Sequence, residues 1–447
     1  MALIELDLTA QPDPTLAARP PARGYRIPGL VIAALLAVVL GGAAPVTPTL
    51  WRYLGVVPPA AAAEGQFRLV GDRVYTVRLT GDDRITTAWQ IADPPRRLWT
   101  VRFPARVSGP DDVGFGGVEA RAAGDEVLLS DGPATTVVDA ATGAVRWRTS
   151  VGVTPLRAGL GLTQTSVFRP GTEYDQDSGD PGALYFSSTG VPHIEPPLRT
   201  EVHGVDLRTG RTVWTAVAPG AVNVFVAGGD VLVLASDRLQ RIDGGTGAIR
   251  RTAGLPRIDG AGPLAGSLVA GTVGVSYGNT DTGGQEIGYD AGTLDRRWQR
   301  PVPAVFFDPP ACTALLCAGP RAALDVLDPV TGTARWRAPD RVDLIARAGY
   351  VLEVDPGSGL PLRLADPATG ADRVDLTGWR SEIGGGDVLV LRRPQNGGAS
   401  AFGVVLHDRD RIQVLGVSGG PVSDCTAGWA YVMCRAGDGL RLWAFHS

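Results

Sequence analysis

Residues 137–147 read VVDAATGAVRW, a short apolar run ending in Asp139, with Thr142, Gly143 and Trp147 at fixed steps behind it. The same arrangement returns at Asp206/Thr209/Gly210/Trp214, Asp243/Thr246/Gly247/Arg251, Asp290/Thr293/Leu294/Trp298, Asp328/Thr331/Gly332/Trp336 and Asp366/Thr369/Gly370/Val374. A degenerate first copy runs from Ala92 to Trp99, and a last one lies near Asp408. Returns at a spacing of roughly 40 residues mark a repeat architecture, and that outranks any local reading of secondary structure.

The residue types explain the unit. Alternating apolar residues such as Val137 and Val138 make a strand, the Asp carboxylate accepts backbone N–H groups of a tight turn, and the Gly supplies the positive φ that closes it. That turn glycine is Gly143, Gly210, Gly247, Gly332 or Gly370. A second strand follows, and its Trp (Trp99, Trp147, Trp214, Trp298 or Trp336) has a flat face suited to the space between one small sheet and the next. An aromatic placed there buries ~150–250 Å². One such sheet cannot cover both of its faces, whereas a ring of sheets can.

The phrase D-x-x-T-G-x-x-x-W, present as DAATGAVRW, DLRTGRTVW and DPVTGTARW, resembles the repeat of the pyrroloquinoline-quinone-like β-propeller family over residues 65–447. The resemblance implies an all-β fold, a single β-propeller of four-stranded blades. Eight blades are expected, or seven if the weak first and last units merge. The family includes quinoprotein dehydrogenases and also propellers that bind no quinone and act as interaction scaffolds. Dehydrogenases of the family carry adjacent cysteines against the quinone and a metal held by Glu, Asn and Asp. No Cys-Cys pair occurs here and no such ligand set can be assigned, so neither pyrroloquinoline quinone nor calcium is supported by the residues.

Composition agrees with many short strands: 60 Gly and 35 Pro among 447 residues supply turns rather than long helices. A net charge of −4 leaves no basic footprint for a nucleic acid. All 42 basic residues are Arg, which reads as genome composition rather than function.

Residues 1–26 are polar and Pro-rich with Arg19, Arg23 and Arg26, and read as a flexible cytoplasmic tail. Residues 29–44, GLVIAALLAVVLGGAA, carry no charge. Extended to Leu50, the apolar run reaches the ~20 residues that a helix needs to cross ~30 Å of hydrocarbon, with Trp51 and Tyr53 where interface aromatics sit. A transmembrane helix is therefore expected over 27–53 and a spacer over 54–64. Three arginines before the run and Arg52 alone close behind it place the N-terminus in the cytoplasm and the propeller outside the cell membrane. A cleaved signal peptide is the rival reading. Lipidation on cysteine is excluded, because the first Cys is Cys312.

Outside the cytoplasm, Cys312/Cys317 and Cys425/Cys434 would form two disulfides, each expected across successive strands of one blade. Zinc spacing and a C-x-x-C are both missing. His193, His203, His407 and His446 are scattered, and no nucleophile elbow, zinc-helix motif or phosphate loop is present. The repeated Asp, Thr, Gly and Trp positions are structural, since one ligand needs one site while every blade needs a turn and a wedge.

The irregular feature is the insertion from Arg157 to Thr200, whose acidic run Glu173, Asp175, Asp177 and Asp180 lacks the closing Glu of a calcium loop. The loop from Gly278 to Glu286 reads as a long hairpin turn. Function gathers on long loops carried by a rigid frame, so a partner is expected first at 157–200. The function expected is that of a membrane-anchored scaffold for another protein or an envelope component, without catalysis. The alternative is a small-ligand sensor or quinoprotein-type oxidoreductase using the central funnel.

Overall fold

The computed structural model describes residues 50–58, 66–105, 118–157, 159–175, 177, 179, 182–278, 283–304, 311–347, 349–382, 388–406 and 410–446. These residues form a single β-propeller, and the helical elements named among them are the short 3-10 turns Arg321–Ala323 and Asn396–Gly398. Most sheets are antiparallel meanders in which consecutive strands run from the inside of the ring to its edge. Blade 4 shows the unit: Asn223–Ala227, Asp230–Leu234, Arg238–Asp243 and Ile249–Gly254, paired in that order. The Asp230–Leu234 strand, DVLVL, is buried throughout, because both of its faces meet neighbouring sheets.

Nine blades are present among the described residues, not eight or seven. The strands around Gln66 to Phe103 do not complete the C-terminal blade. Gln66–Val70, Arg73–Thr80, Asp83–Gln90 and Arg96–Pro104 form a blade of their own, the first. The last blade, Ser423–Ala427, Tyr431–Ala436 and Gly439–Phe445, takes its outer strand from Trp51–Val57.

This corrects the expected helix over 27–53 and the spacer over 54–64 where they overlap the strand. Trp51–Val57, WRYLGVV, combines aromatic and β-branched residues with an open sheet edge to pair against. Trp51 is not an interface aromatic: its ring stacks on Phe402 of blade 8 at 5.1 Å and on Trp443 at 5.5 Å. Residues 27–49 lie outside the described residues, and among those described no helix is long and apolar enough to cross a membrane.

Ring closure is a buried joint. Leu54 and Val57 of the N-terminal strand, with Met433, Leu440 and Leu442, pack against Phe67, Val74, Trp89 and Ile91 of blade 1. The inner strands Gln66–Val70 and Ser423–Ala427 lie side by side.

Both disulfides are formed. Cys425 and Cys434 face each other across adjacent strands of blade 9, as expected. Cys312 and Cys317 do not share a sheet. Cys317–Ala318 pairs with Asp325–Leu327 in the three-stranded blade 6, whereas Cys312–Thr313 adds in parallel to Asp343–Arg347 of blade 7. That bond therefore staples two neighbouring sheets at a place where the inner strand of blade 6 is interrupted.

Candidate functional site

The repeated turn residues sit where the third strand of a blade passes to the fourth. In blade 2 the Asp139 carboxylate accepts the N–H groups of Ala141 (3.0 Å) and Thr142 (2.8 Å) and the Thr142 hydroxyl (2.8 Å). Asp206, Asp243 and Asp366 repeat this with Thr209, Thr246 and Thr369, and Asp328 accepts the N–H of Thr331. These hydrogen bonds favour the ionised form, so the Asp carboxyls titrate below their ordinary range. The Thr142 and Thr209 hydroxyls are the leading cause at Asp139 and Asp206, the Arg250 and Arg335 guanidiniums at Asp243 and Asp328, and backbone N–H groups at Asp290 and Asp366.

Each wedge Trp reaches into the following blade. The Trp99 indole N–H donates to Ala140 O at 2.9 Å, Trp147 to Leu207 O at 2.6 Å, Trp214 to Gly244 O at 3.0 Å, Trp298 to Pro329 O at 3.0 Å and Trp336 to Pro367 O at 3.1 Å. Its ring lies on the turn glycine of that blade: a Cβ on Gly210 would stand 2.7 Å from the Trp147 ring, and Gly210 has φ +71°. The glycine is therefore required twice, for its backbone angle and for the close approach. Besides closing the turn, these glycines are the seats of the wedge. Gly143 lies under Trp99, Gly332 under Trp298 and Gly370 under Trp336, where a Cβ would stand 2.6, 2.6 and 2.5 Å from the ring. Gly332 and Gly370 thus tie blade 6 to blade 5 and blade 7 to blade 6.

Two parts of this joint escape the motif as read from the sequence. An Arg seven residues after the turn Asp pairs with it in five blades: Arg146–Asp139, Arg250–Asp243, Arg297–Asp290, Arg335–Asp328 and Arg373–Asp366. Asp206 has Val213 at that place, half exposed. Two of the apparent degeneracies, Arg251 and Leu294, fall on the same joint. Where the wedge is Arg251, the next turn carries Leu294 instead of Gly, at φ +61° and buried beside Leu232 and Leu239 of blade 4. Arg251 itself is exposed, and across this joint it is Arg241 that donates to Gly292 O.

Among the described residues none of these groups gathers into a chemical site, and the remaining sequence candidates scatter. His193 is buried, stacked on Phe168 at 3.7 Å with Nδ1 3.1 Å from the Thr172 hydroxyl; His203 meets the Thr215 hydroxyl at 3.0 Å. Glu173 forms a backbone bridge to His193, and Asp175 accepts the Asp177 N–H at 3.1 Å. Asp180, His407, Asp408 and residues 279–282 of the polar loop lie outside the described residues.

The insertion does build a recess. It joins the second and third strands of blade 3, Leu160–Val167 and Arg199–Asp206, and contains a small hairpin, Tyr185–Phe186 with Pro192–His193. The hairpin is tied to the blade by the Ser166 N–H, which donates to the Ser188 hydroxyl at 3.0 Å. Between hairpin, blade and the crossover to blade 4 lies a cavity of about 530 Å³. Its wall is one face of the sheet, Leu162, Gln164 and Ser166 at alternate positions, with Thr154 and Thr200 on the flanking strands. Tyr185, Phe186 and Leu184 stand at its edge, Val222 at its far side. Among the described residues the lining holds no Asp, Glu, Arg or His. The hairpin and its flanks also expose Phe186 (63%), Leu198 (53%) and Ile194 (46%) to solvent.

The two faces of the ring differ. Antiparallel meanders put the Asp-x-x-Thr-Gly turns on one face and the strand 2–3 loops and blade crossovers on the other. The insertion belongs to the second face. The chain enters the propeller at Trp51, which pairs with Phe445 at the end of the third strand of blade 9, on the first face.

No protein-family profile and no curated protein matches the sequence. Among solved structures the chain is similar to BamB from Moraxella catarrhalis, at 13% identity and TM-score 0.38 over 85% of this chain and 96% of that one. It is similar also to a europium-containing methanol dehydrogenase, at 11% identity and TM-score 0.34 over 88% and 86%, and to Kluyvelomyces marxianus Hsv2, at 10% and 0.36 over 68% and 99%. Likenesses this distant carry no weight on function, and the propeller stands on its own strand pairing.

Proposed function

We propose that this chain is a membrane-anchored, extracytoplasmic propeller that holds no quinone, performs no catalysis and serves as a docking platform for a protein or other component of the cell envelope. The observation that carries the reading is the blade 3 insertion. It sets solvent-exposed Phe186, Ile194 and Leu198 on a rigid frame, on the face opposite the one at which the chain enters the ring. Apolar side chains grouped at an exposed loop mark contact surfaces. Two disulfides suit an oxidising compartment.

The test pairs location with capture. In intact cells stripped of their outer layers, added protease should remove the propeller and spare the N-terminal tail; a propeller protected until the membrane is broken overturns the placement. Cross-linking of the full chain should recover neighbours that Phe186→Ser with Ile194→Ser no longer recovers. An absorbing cofactor in the purified chain, or a higher Tm with quinone and calcium together, favours the oxidoreductase alternative instead.

A further inference from the structure

The blade 3 cavity carries information about what fills it. Its volume, about 530 Å³, lies within the ~300–1,000 Å³ of small-molecule sites. Six polar side chains line it, four of them Thr154, Gln164, Ser166 and Tyr185. Among the described residues none of the four side chains hydrogen-bonds elsewhere in the protein, whereas the neighbouring Thr200 hydroxyl is committed to Gly220 O and that of Ser188 to the Ser166 N–H.

The chemistry of the lining narrows the ligand. No Asp, Glu, Arg or His faces the cavity among the described residues, so an ionised ligand would lose its hydration without a counter-charge. A purely apolar ligand would leave four polar groups unpaired. Amide and hydroxyl groups both donate and accept, which matches ligand groups that do the same. Peptides commonly pair with an open strand edge, but this wall is the face of a strand bonded on both sides, Leu160–Val167 between Thr154–Arg157 and Arg199–Asp206. Tyr185 and Phe186 also line the cavity, and the face of an aromatic ring suits a weakly positive C–H surface.

We infer that the recess between the blade 3 sheet and its hairpin is a binding site for a neutral, hydroxyl-rich saccharide unit, held by Gln164, Thr154 and Ser166 with Tyr185 and Phe186 against its C–H face. The inference deepens the envelope reading and rests on it only for where such a ligand would be met.

The experiment applies the purified full chain to a printed array of neutral glycans, charged glycans and neutral peptides. The expected result is retention on a subset of neutral glycans, weakened roughly tenfold by Gln164→Ala and by Phe186→Ala, as loss of a few direct contacts implies. Both variants should melt with the parent; Phe186 is largely exposed, so its variant remains informative if Gln164→Ala does not fold. No glycan retained, retention governed by charge, preference for peptide, or binding indifferent to both substitutions each overturns the site. Protease accessibility in cells is read separately, so a failed array leaves the placement standing and a protected propeller leaves the site standing.

Discussion

The indole of Trp214 lies over Gly204 of its own sheet, where a Cβ would stand 2.1 Å from it, and against Gly247 of the next. Trp214→Ala opens a hole between two blades and removes the bond to Gly244 O. A loss of about 3–5 kcal/mol is expected, read as a lower Tm by calorimetry. The turn carboxylates make the second residue-scale prediction. Each is held below the ordinary ~3.9, so its contribution is complete above that pH and fades as acid carries the solution down through the lowered value. Tm should therefore fall as the pH drops below about 4, and Asp206→Asn should reduce that slope. Asp, Thr, Gly and Trp are legible in the sequence because each acts through its near neighbours at a constant step. The second duty of Gly332 and Gly370 is not, since the ring that rests on each comes from the preceding blade. The Arg at the seventh place is equally regular, yet it hides among 42 arginines whose abundance has a simpler explanation.

At the level of elements, two departures from the repeat fall on one joint, between blades 4 and 5. Arg251 stands exposed at the wedge place of blade 4, and Leu294 stands buried at the turn-glycine place of blade 5. Arg251→Trp alone should crowd Leu294, and Leu294→Gly alone should leave a void beside Leu232 and Leu239. Combined, the two restore the common joint. A double-mutant cycle on Tm should then give a favourable coupling of about 1–3 kcal/mol, and strict additivity would show that the two positions do not meet. The insertion is legible as a place, since its length stands out from the other units. Its chemistry is not, because Gln164 and Thr154 become neighbours only when two strands pair and a hairpin folds over them. Trp51–Val57 misleads for a related reason: an apolar segment following an apolar run looks continuous with it, and nothing local announces a partner at Gly439–Phe445.

For the molecule as a whole, the completion of blade 9 depends on that one distant pairing. Removing residues 1–49 should leave a ring of unchanged Tm, whereas removing 1–57 strips blade 9 of its outer strand and uncovers Phe67 and Trp89 at the joint. The longer deletion should aggregate or melt well below the shorter one, since an open edge and an apolar seam are exposed together. Equal melting of the two would show that the clasp is dispensable. The clasp also orders events in time. Among the described strands a ribosome delivers Trp51–Val57 first and Gly439–Phe445 last, so the earliest of them waits for nearly the entire ring before it finds its place. Through that interval its edge must be shielded, and a chain arrested anywhere short of the final blade can stack sheets but never seal the circle.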